Sequence, residues 1–291
     1  MQQIGNGIFF EDAYQGVTVG ALVYSHGTIL LDAPLRAEDT RSWRAAVLNQ
    51  RSGANRLLVS LDSHPDRTLG TRSLECTIVA HQKAAQVFRN RPTIFKGQTV
   101  ETGSFWETYS DAIGMRWASP DITFTDQLSL HWGGPEVILE HRPGPTPGSI
   151  WVHVPDAKVV FVGDALTLGQ PPFLALADLD AWLDNLNLLV QSYTGYTVIA
   201  GRGGLAGPDD ILRLRDLLQE IAAAIADLAS RNASPDAAQS LAAGFVSRYP
   251  APAKLRELYS ARLRYGMYHC YSRRFHPSSI LGTVEVDYEE Q

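Results

Sequence analysis

Cysteine is almost absent: Cys76 and Cys270 are the only two in 291 residues, far apart and in unrelated contexts. That excludes a disulfide framework and any cysteine-based zinc spacing, and it makes a reduced, cytoplasmic protein the default expectation. No apolar run approaches the roughly 18 residues that a membrane span needs. The N-terminal Met1-Gln2-Gln3-Ile4-Gly5 has neither a basic region nor an apolar core, so a signal peptide is not expected. Concentrated positive charge is missing as well. Net charge is −6, and the densest basic cluster is Arg262, Arg264, Arg273 and Arg274 among Tyr265, Tyr268 and Tyr271. That cluster reads as the solvated face of a helix, so neither nucleic acid nor membrane is expected as a partner. No Gly-x-Ser-x-Gly elbow, Ser-His-Asp order or phosphate loop after a strand occurs, which removes the usual signatures of serine hydrolases and nucleotide enzymes.

What the chain does have is ample core material, with 45% hydrophobic residues and no low-complexity tract or linker. The expectation is one α/β domain over 1–291, with a core at about 6–205 and a helical C-terminal region at about 206–291. Three short apolar runs share one design. Leu57 to Leu61 runs into Asp62, Val159 to Val162 into Gly163-Asp164, and Thr197 to Ala200 into Gly201-Arg202. Continuous apolar strands are buried on both faces, so helices should cover the sheet on each side, and polar groups at the strand ends should converge at one edge. Further strands are expected at Gly16–Tyr24, Thr28–Asp32, 122–124, 127–131, 136–139 and 149–154. Helical spacing of apolar residues begins at Asp178, at Gly207-Pro208, at Ser234-Pro235 and at Ala253.

Taken in order, Asp62-Ser63-His64-Pro65-Asp66-Arg67, Pro143-Gly144-Pro145-Thr146-Pro147-Gly148-Ser149, Gly163-Asp164 and Gly201-Arg202-Gly203 resemble the motifs of the metallo-β-lactamase superfamily. Its members carry His-x-His-x-Asp-His, Pro-Gly-His-Thr-Pro-Gly-Ser, Gly-Asp and Pro-Gly-His-Gly. The resemblance runs from about Asn6 to Arg202, with a looser match beyond. It implies a four-layer αβ/βα sandwich with the site on one edge between two sheets. It also implies two metals, usually zinc, that deprotonate a water for attack on a carbonyl, phosphoryl or thioester centre.

The ligand positions of this chain depart from that pattern. Asp62 stands for the first His, His64 and Asp66 are retained, Arg67 replaces the last His, Pro145 and Arg202 replace two more, and Asp164 is retained. Proline has no coordinating side chain and arginine is a permanent cation without an acceptor. A second metal, which should have Asp66, Arg67, Arg202 and Asp164 around it, is therefore not expected. A single zinc, manganese or iron ion at Asp62, His64 and Asp164 is the alternative to no cofactor at all. Charge counting favours none: with protonated His64, the two arginines would balance Asp62, Asp66 and Asp164.

The leading expectation is a non-catalytic or ligand-binding protein whose dinuclear site has degenerated, with His64, Asp66, Arg67 and Arg202 lining its pocket. Next comes a hydrolase using one metal at Asp62, His64 and Asp164. A third reading makes His64 a general base, with Arg67 and Arg202 binding an anionic substrate. The small-molecule ligand itself has no signature. The aromatic region Phe95 to Trp117 reads equally as a lid or as packing, and His276 is a candidate contact from the C-terminal end.

Overall fold

A continuous apolar strand with side chains alternating between two faces must supply two different cores at once. In β5 (Asn55–Val59), Leu57 and Val59 enter a core between two sheets, whereas Leu58 packs outward with Trp43 and Val47 of α1 (Ala37–Leu48). In β10 (Ile150–Val154), Ile150, Val152 and Val154 join that same inter-sheet core. Trp151 faces the other way, into a cluster with Trp182 and Leu186 of α4 (Leu179–Ser192). The computed structural model, which describes residues 1–50, 53–91 and 100–277, thus has helix, sheet, sheet, helix as its four layers. Phe95 lies outside the described residues, as do positions 278–291.

The first sheet runs in chain order through β1 (Gln2–Gly5), β2 (Ile8–Glu11), β3 (Val19–Tyr24), β4 (Gly27–Leu31), β5, β6 (Thr77–His81) and β7 (Ile122–Phe124). Pairing is antiparallel up to β4 and parallel from β4 to β7. The second sheet holds β8 (Gln127–Leu130), β9 (Val137–His141), β10, β11 (Val159–Phe161), β12 (Thr197–Ile199) and β13 (Leu205–Ala206), paired in that order. Only β11 and β12 pair parallel there. The parallel pairs matter for the site, because parallel neighbours release their C-terminal ends at the same edge. Asp32 leaves β4 and the Asp62 segment leaves β5 in one sheet, while Asp164 follows β11 and Arg202 follows β12 in the other.

The strand read at Gly16–Tyr24 begins instead at Val19. Thr18 crosses to the second sheet, its N–H donating to the Gly201 carbonyl at 2.7 Å and its hydroxyl accepting from Gly204 N–H at 3.1 Å. A one-turn α2 (Pro65–Thr68) and α3 (Gln82–Asn90) follow β5 and β6. Beyond β13 come α5 (Pro208–Ser230), α6 (Pro235–Ser240), α7 (Ala242–Val246) and α8 (Ala253–Phe275). Pro208 and Pro235 each occupy the first helical position, where a missing N–H costs nothing. Leu263, Met267 and Tyr271 of α8 share their cluster with Trp151 of the second sheet, so the C-terminal helices form its outer layer.

Candidate functional site

Each polar group is placed by local backbone chemistry. Asp32 sits just past β4 at φ 56°, in the left-handed region that aspartate tolerates better than most residues, and its Oδ1 accepts from Leu61 N–H at 2.9 Å. Asp62 Oδ1 accepts from His64 N–H at 2.7 Å, closing a tight turn. His64 then caps α2, its Nδ1 accepting from Asp66 N–H at 3.2 Å. On the opposite sheet Gly163 turns at φ 57°, and Gly201 lies against it, donating to the Gly163 carbonyl at 2.7 Å. A Cβ at Gly201 would stand 2.3 Å from the Gly163 carbonyl carbon, so only glycine lets the two loops meet.

Two fully buried arginines knit these loops together. Arg67 Nη1 donates to Asp32 Oδ2 at 2.5 Å and Nη2 donates to Asp164 Oδ1, while Nε lies 3.3 Å from Asp62 Oδ1. Arg202 grips both oxygens of Asp164, from Nε at 3.0 Å and from Nη2 at 3.1 Å. Its Nη1 donates to Asp66 Oδ2 at 2.7 Å, and Nη2 also reaches His64 Nδ1 at 3.1 Å. Asp66 is completed by backbone donors, Trp106 N–H at 2.8 Å and Phe105 N–H at 3.2 Å. The bidentate grip on Asp164 is the strongest pairing geometry a carboxylate has with a side chain.

Burial and charge pull these groups apart in pKa. Burial would raise Asp164 and Asp66, yet the guanidiniums beside them more than offset it, and both carboxyls are held below their usual range. Asp32 is pushed up to about 7, since burial outweighs its single arginine, and Asp62 is raised for the same reason. Burial lowers His64 to about 3. Its Nδ1 accepts from two donors, so the ring is neutral with its proton on Nε2, which faces Ser104 Oγ at 3.3 Å.

A third arginine lies nearby. Arg262 of α8 is buried, with Nε donating to the Gly103 carbonyl at 3.0 Å and Nη1 donating to Gln170 Oε1 and the Pro171 carbonyl, both at 2.9 Å. Phe173 presents its ring to Arg262 at 3.9 Å, to Arg202 at 4.5 Å and to His64 at 4.3 Å. A cleft of about 390 Å³ opens beside this group, with Arg202, Gln170, Phe105 and the 12–17 loop among its walls. A separate hollow of about 250 Å³, between α1 and β4, contains none of these groups.

A family model described as the metallo-beta-lactamase superfamily matches residues 71–202. No curated protein matches the chain in sequence. Among solved structures, the metallo-β-lactamase from Pontibacter korlensis is similar at a TM-score of 0.56 and 19% identity, covering 75% of this chain and 97% of its own. The metallo-β-lactamase IND-7 is similar at 0.56 and 16%, covering 75% and 96%. A double mutant of the sec-alkyl sulfatase PisA1 reaches 0.63 at 13%, covering 96% of this chain and 51% of its own. Over residues 71–202 the chain matches the metallo-beta-lactamase superfamily, and its fold is that of the metallo-β-lactamases.

The matched region begins after the first motif, so the departures at Asp62 and Arg67 lie outside it. The edge at which the motif resemblance implies two metals holds guanidinium groups. Asp62, His64 and Asp164 are within one cluster, but as arranged they do not fit a metal ion. Arg202 takes both Asp164 oxygens and the His64 Nδ1 lone pair, and Asp62 Oδ1 is committed to the His64 amide and the flank of Arg67. Among the described residues, no group of three or more His, Cys, Asp or Glu is placed to hold a metal. Pro145 is buried in its turn, where Asn185 Nδ2 donates to the neighbouring Pro143 carbonyl at 2.6 Å.

Several expectations change in the light of this geometry. Arg67 does not stand beside Asp66; it points to Asp32, Asp62 and Asp164, leaving Asp66 to Arg202. His64 is neutral rather than protonated, because burial disfavours its charged form. Charge balance comes from elsewhere: Asp32 joins as a fourth carboxylate with a proton of its own near neutral pH, and Arg262 stands by as a third cation. Arg262 is therefore not on a solvated helix face. Phe105 and Trp106 are packed with Leu35, Leu69 and Leu258, and their contribution to the site is a pair of backbone amides rather than a mobile aromatic lid. His276 is the C-cap of α8, its ring against Tyr271. Asp32 was missed, although it ends a strand as Asp164 does.

Proposed function

We propose that this chain is a non-catalytic, ligand-binding member of the superfamily in which Arg67 and Arg202 do electrostatically what two metal ions do in hydrolytic members. The supporting observation is the state of Asp164 and His64. Both oxygens of the carboxylate that would bridge two metals are held by guanidiniums, and the one retained imidazole gives its Nδ1 lone pair to Arg202. With no lone pair left on Nδ1 and a proton fixed on Nε2, His64 has no site from which to abstract a proton. Its neighbour Ser104 accordingly has no base to activate it, since a serine nucleophile requires Nε2 as acceptor. The network keeps four buried carboxylates paired, and unpaired they would be costly to the fold.

The test is metal content together with turnover. Protein purified without chelator, then incubated with zinc, manganese or iron and dialysed, is expected to retain no metal and to leave β-lactam, thioester and alkyl sulfate substrates intact. The single-metal alternative at Asp62, His64 and Asp164 requires Arg202 to release Asp164 and His64 together. Retained metal that disappears in Asp164→Asn, or turnover that disappears with it, would overturn the proposal.

A further inference from the structure

We propose that the cleft beside the arginine network binds a small monocarboxylate with an apolar body, the carboxylate pairing with Arg262 in place of the Gln170 amide oxygen. The inference deepens the binding role proposed above and rests on it.

The starting point is how differently the three buried arginines are partnered. Arg67 meets three carboxylates and Arg202 meets two. Arg262 is as buried as they are, at 1% exposure, and every acceptor that it reaches is neutral. Its Nη2 is buried without a hydrogen-bond partner among the described residues. Burial and the repulsion of Arg202 together lower its pKa to about 9. A guanidinium held this way gains most from a charged acceptor, because a charge-assisted bond is roughly twice as strong as one to a neutral oxygen.

Gln170 gives such an acceptor a route. Its Oε1 accepts from Arg262 Nη1 at 2.9 Å while the residue itself lines the cleft. An amide oxygen and a carboxylate oxygen accept in the same geometry, so a ligand carboxylate replaces Oε1 by rotation of one side chain at the wall. Phe105, which also flanks Arg262, shares that wall, and Val17 and Leu255 add apolar surface suited to a ring or short hydrocarbon. The lining holds one carboxylate, Asp12, and one cation, Arg202, whose charge is already taken up by Asp66 and Asp164, so a second negative charge on the ligand meets Asp12 uncompensated. Monocarboxylates are therefore favoured over dicarboxylates. At about 390 Å³ the cleft is in the size range of small-molecule sites.

The experiment uses the full chain, freed of metal by chelator and dialysis, with sodium benzoate as the probe and thermal unfolding and calorimetry as readouts. A saturable rise in melting temperature is expected with benzoate, a weaker one with succinate and none with benzyl alcohol at equal concentration. Arg262→Met should weaken benzoate binding by about tenfold or more, the loss of one charge-assisted pair. Gln170→Glu places a carboxylate against Arg262 from within, so it should melt higher than the parent and no longer respond to benzoate. This variant carries the test if Arg262→Met does not fold. No saturable response in the parent, equal responses to chloride and benzoate, or an undiminished response in Gln170→Glu would overturn the inference. Failure of benzoate binding in metal-free, inactive protein leaves the non-catalytic reading standing; retained metal or turnover, measured on the same preparation, strikes that reading instead.

Discussion

Arg67 and Arg262 are both arginines, both fully buried and both at the same edge of the fold, yet their surroundings are opposite. Arg67 lies among Asp32, Asp62 and Asp164, and its charge is held by its partners. Arg262 lies among carbonyls, an amide and the face of Phe173, and its charge is opposed by burial and by Arg202. The first arrangement looks inward and completes the fold. The second leaves a buried cation beside a cleft, where a ligand can complete it. Burial alone thus says little about what a charged side chain is for; what surrounds it decides.

The comparison can be broken most forcefully at Arg67. Arg67→Met leaves buried Asp32 and Asp62 without a cationic partner, while Asp164 keeps Arg202. The expected loss is about 3–5 kcal/mol, the range for removing one partner of a buried ion pair. Urea unfolding measures it; a loss of under about 1 kcal/mol would mean that the network does not hold the fold.

A second effect is smaller and depends on pH. Asp32, held at about 7 in the fold against an ordinary 3.8, stabilises the fold at low pH, and this contribution fades as pH rises through about 7. His64, held at about 3 against an ordinary 6.5, works the other way. The unfolded chain takes up a proton there that the folded chain refuses, so stability falls as pH drops below about 6.5. The two slopes oppose each other across mildly acidic pH. Asp32→Asn keeps an acceptor for Arg67 but removes one slope, so the variant should lose stability on acidification more steeply than the parent. One unmatched proton contributes up to about 1.4 kcal/mol per pH unit. Parallel melting curves for the two proteins between pH 4.5 and 7.5 would count against the assigned roles.

The smallest effect belongs to Arg262→Met. Three hydrogen bonds are lost, but so is the desolvation cost of a cation that no carboxylate compensates. Stability should stay within about 1 kcal/mol of the parent. A loss matching that of Arg67→Met would erase the distinction between the two arginines.

How much of this was legible in the sequence differs residue by residue. Asp62, His64, Asp66, Arg67, Asp164 and Arg202 were all identifiable, because motif spacing and strand-end placement fix where each must lie. Asp32 carried the same strand-end signal without a motif, and it was passed over. Arg262 left a trace too: it stands one turn from Leu258 and one turn from Gly266, on the buried stripe of α8, although the arginines and tyrosines around it suggest a wet face. The amides of Phe105 and Trp106 left none, since a backbone N–H is common to nearly every residue.

The sequence by itself determined that the central strands are buried on both faces, since their apolar runs are continuous. That a second sheet rather than a second helical layer covers one of those faces follows from the family resemblance and the structure, and it corrects the expectation of helices on each side. The sequence also determined which chemical groups reach the shared edge. Only the tertiary structure decided who pairs with whom: that Arg67 turns to Asp32 and away from Asp66, that His64 is neutral, and that Arg262 meets no carboxylate. Pairing and protonation depend on distances of a few ångströms between groups from different elements and on how much water those elements exclude. No spacing along the chain encodes either quantity.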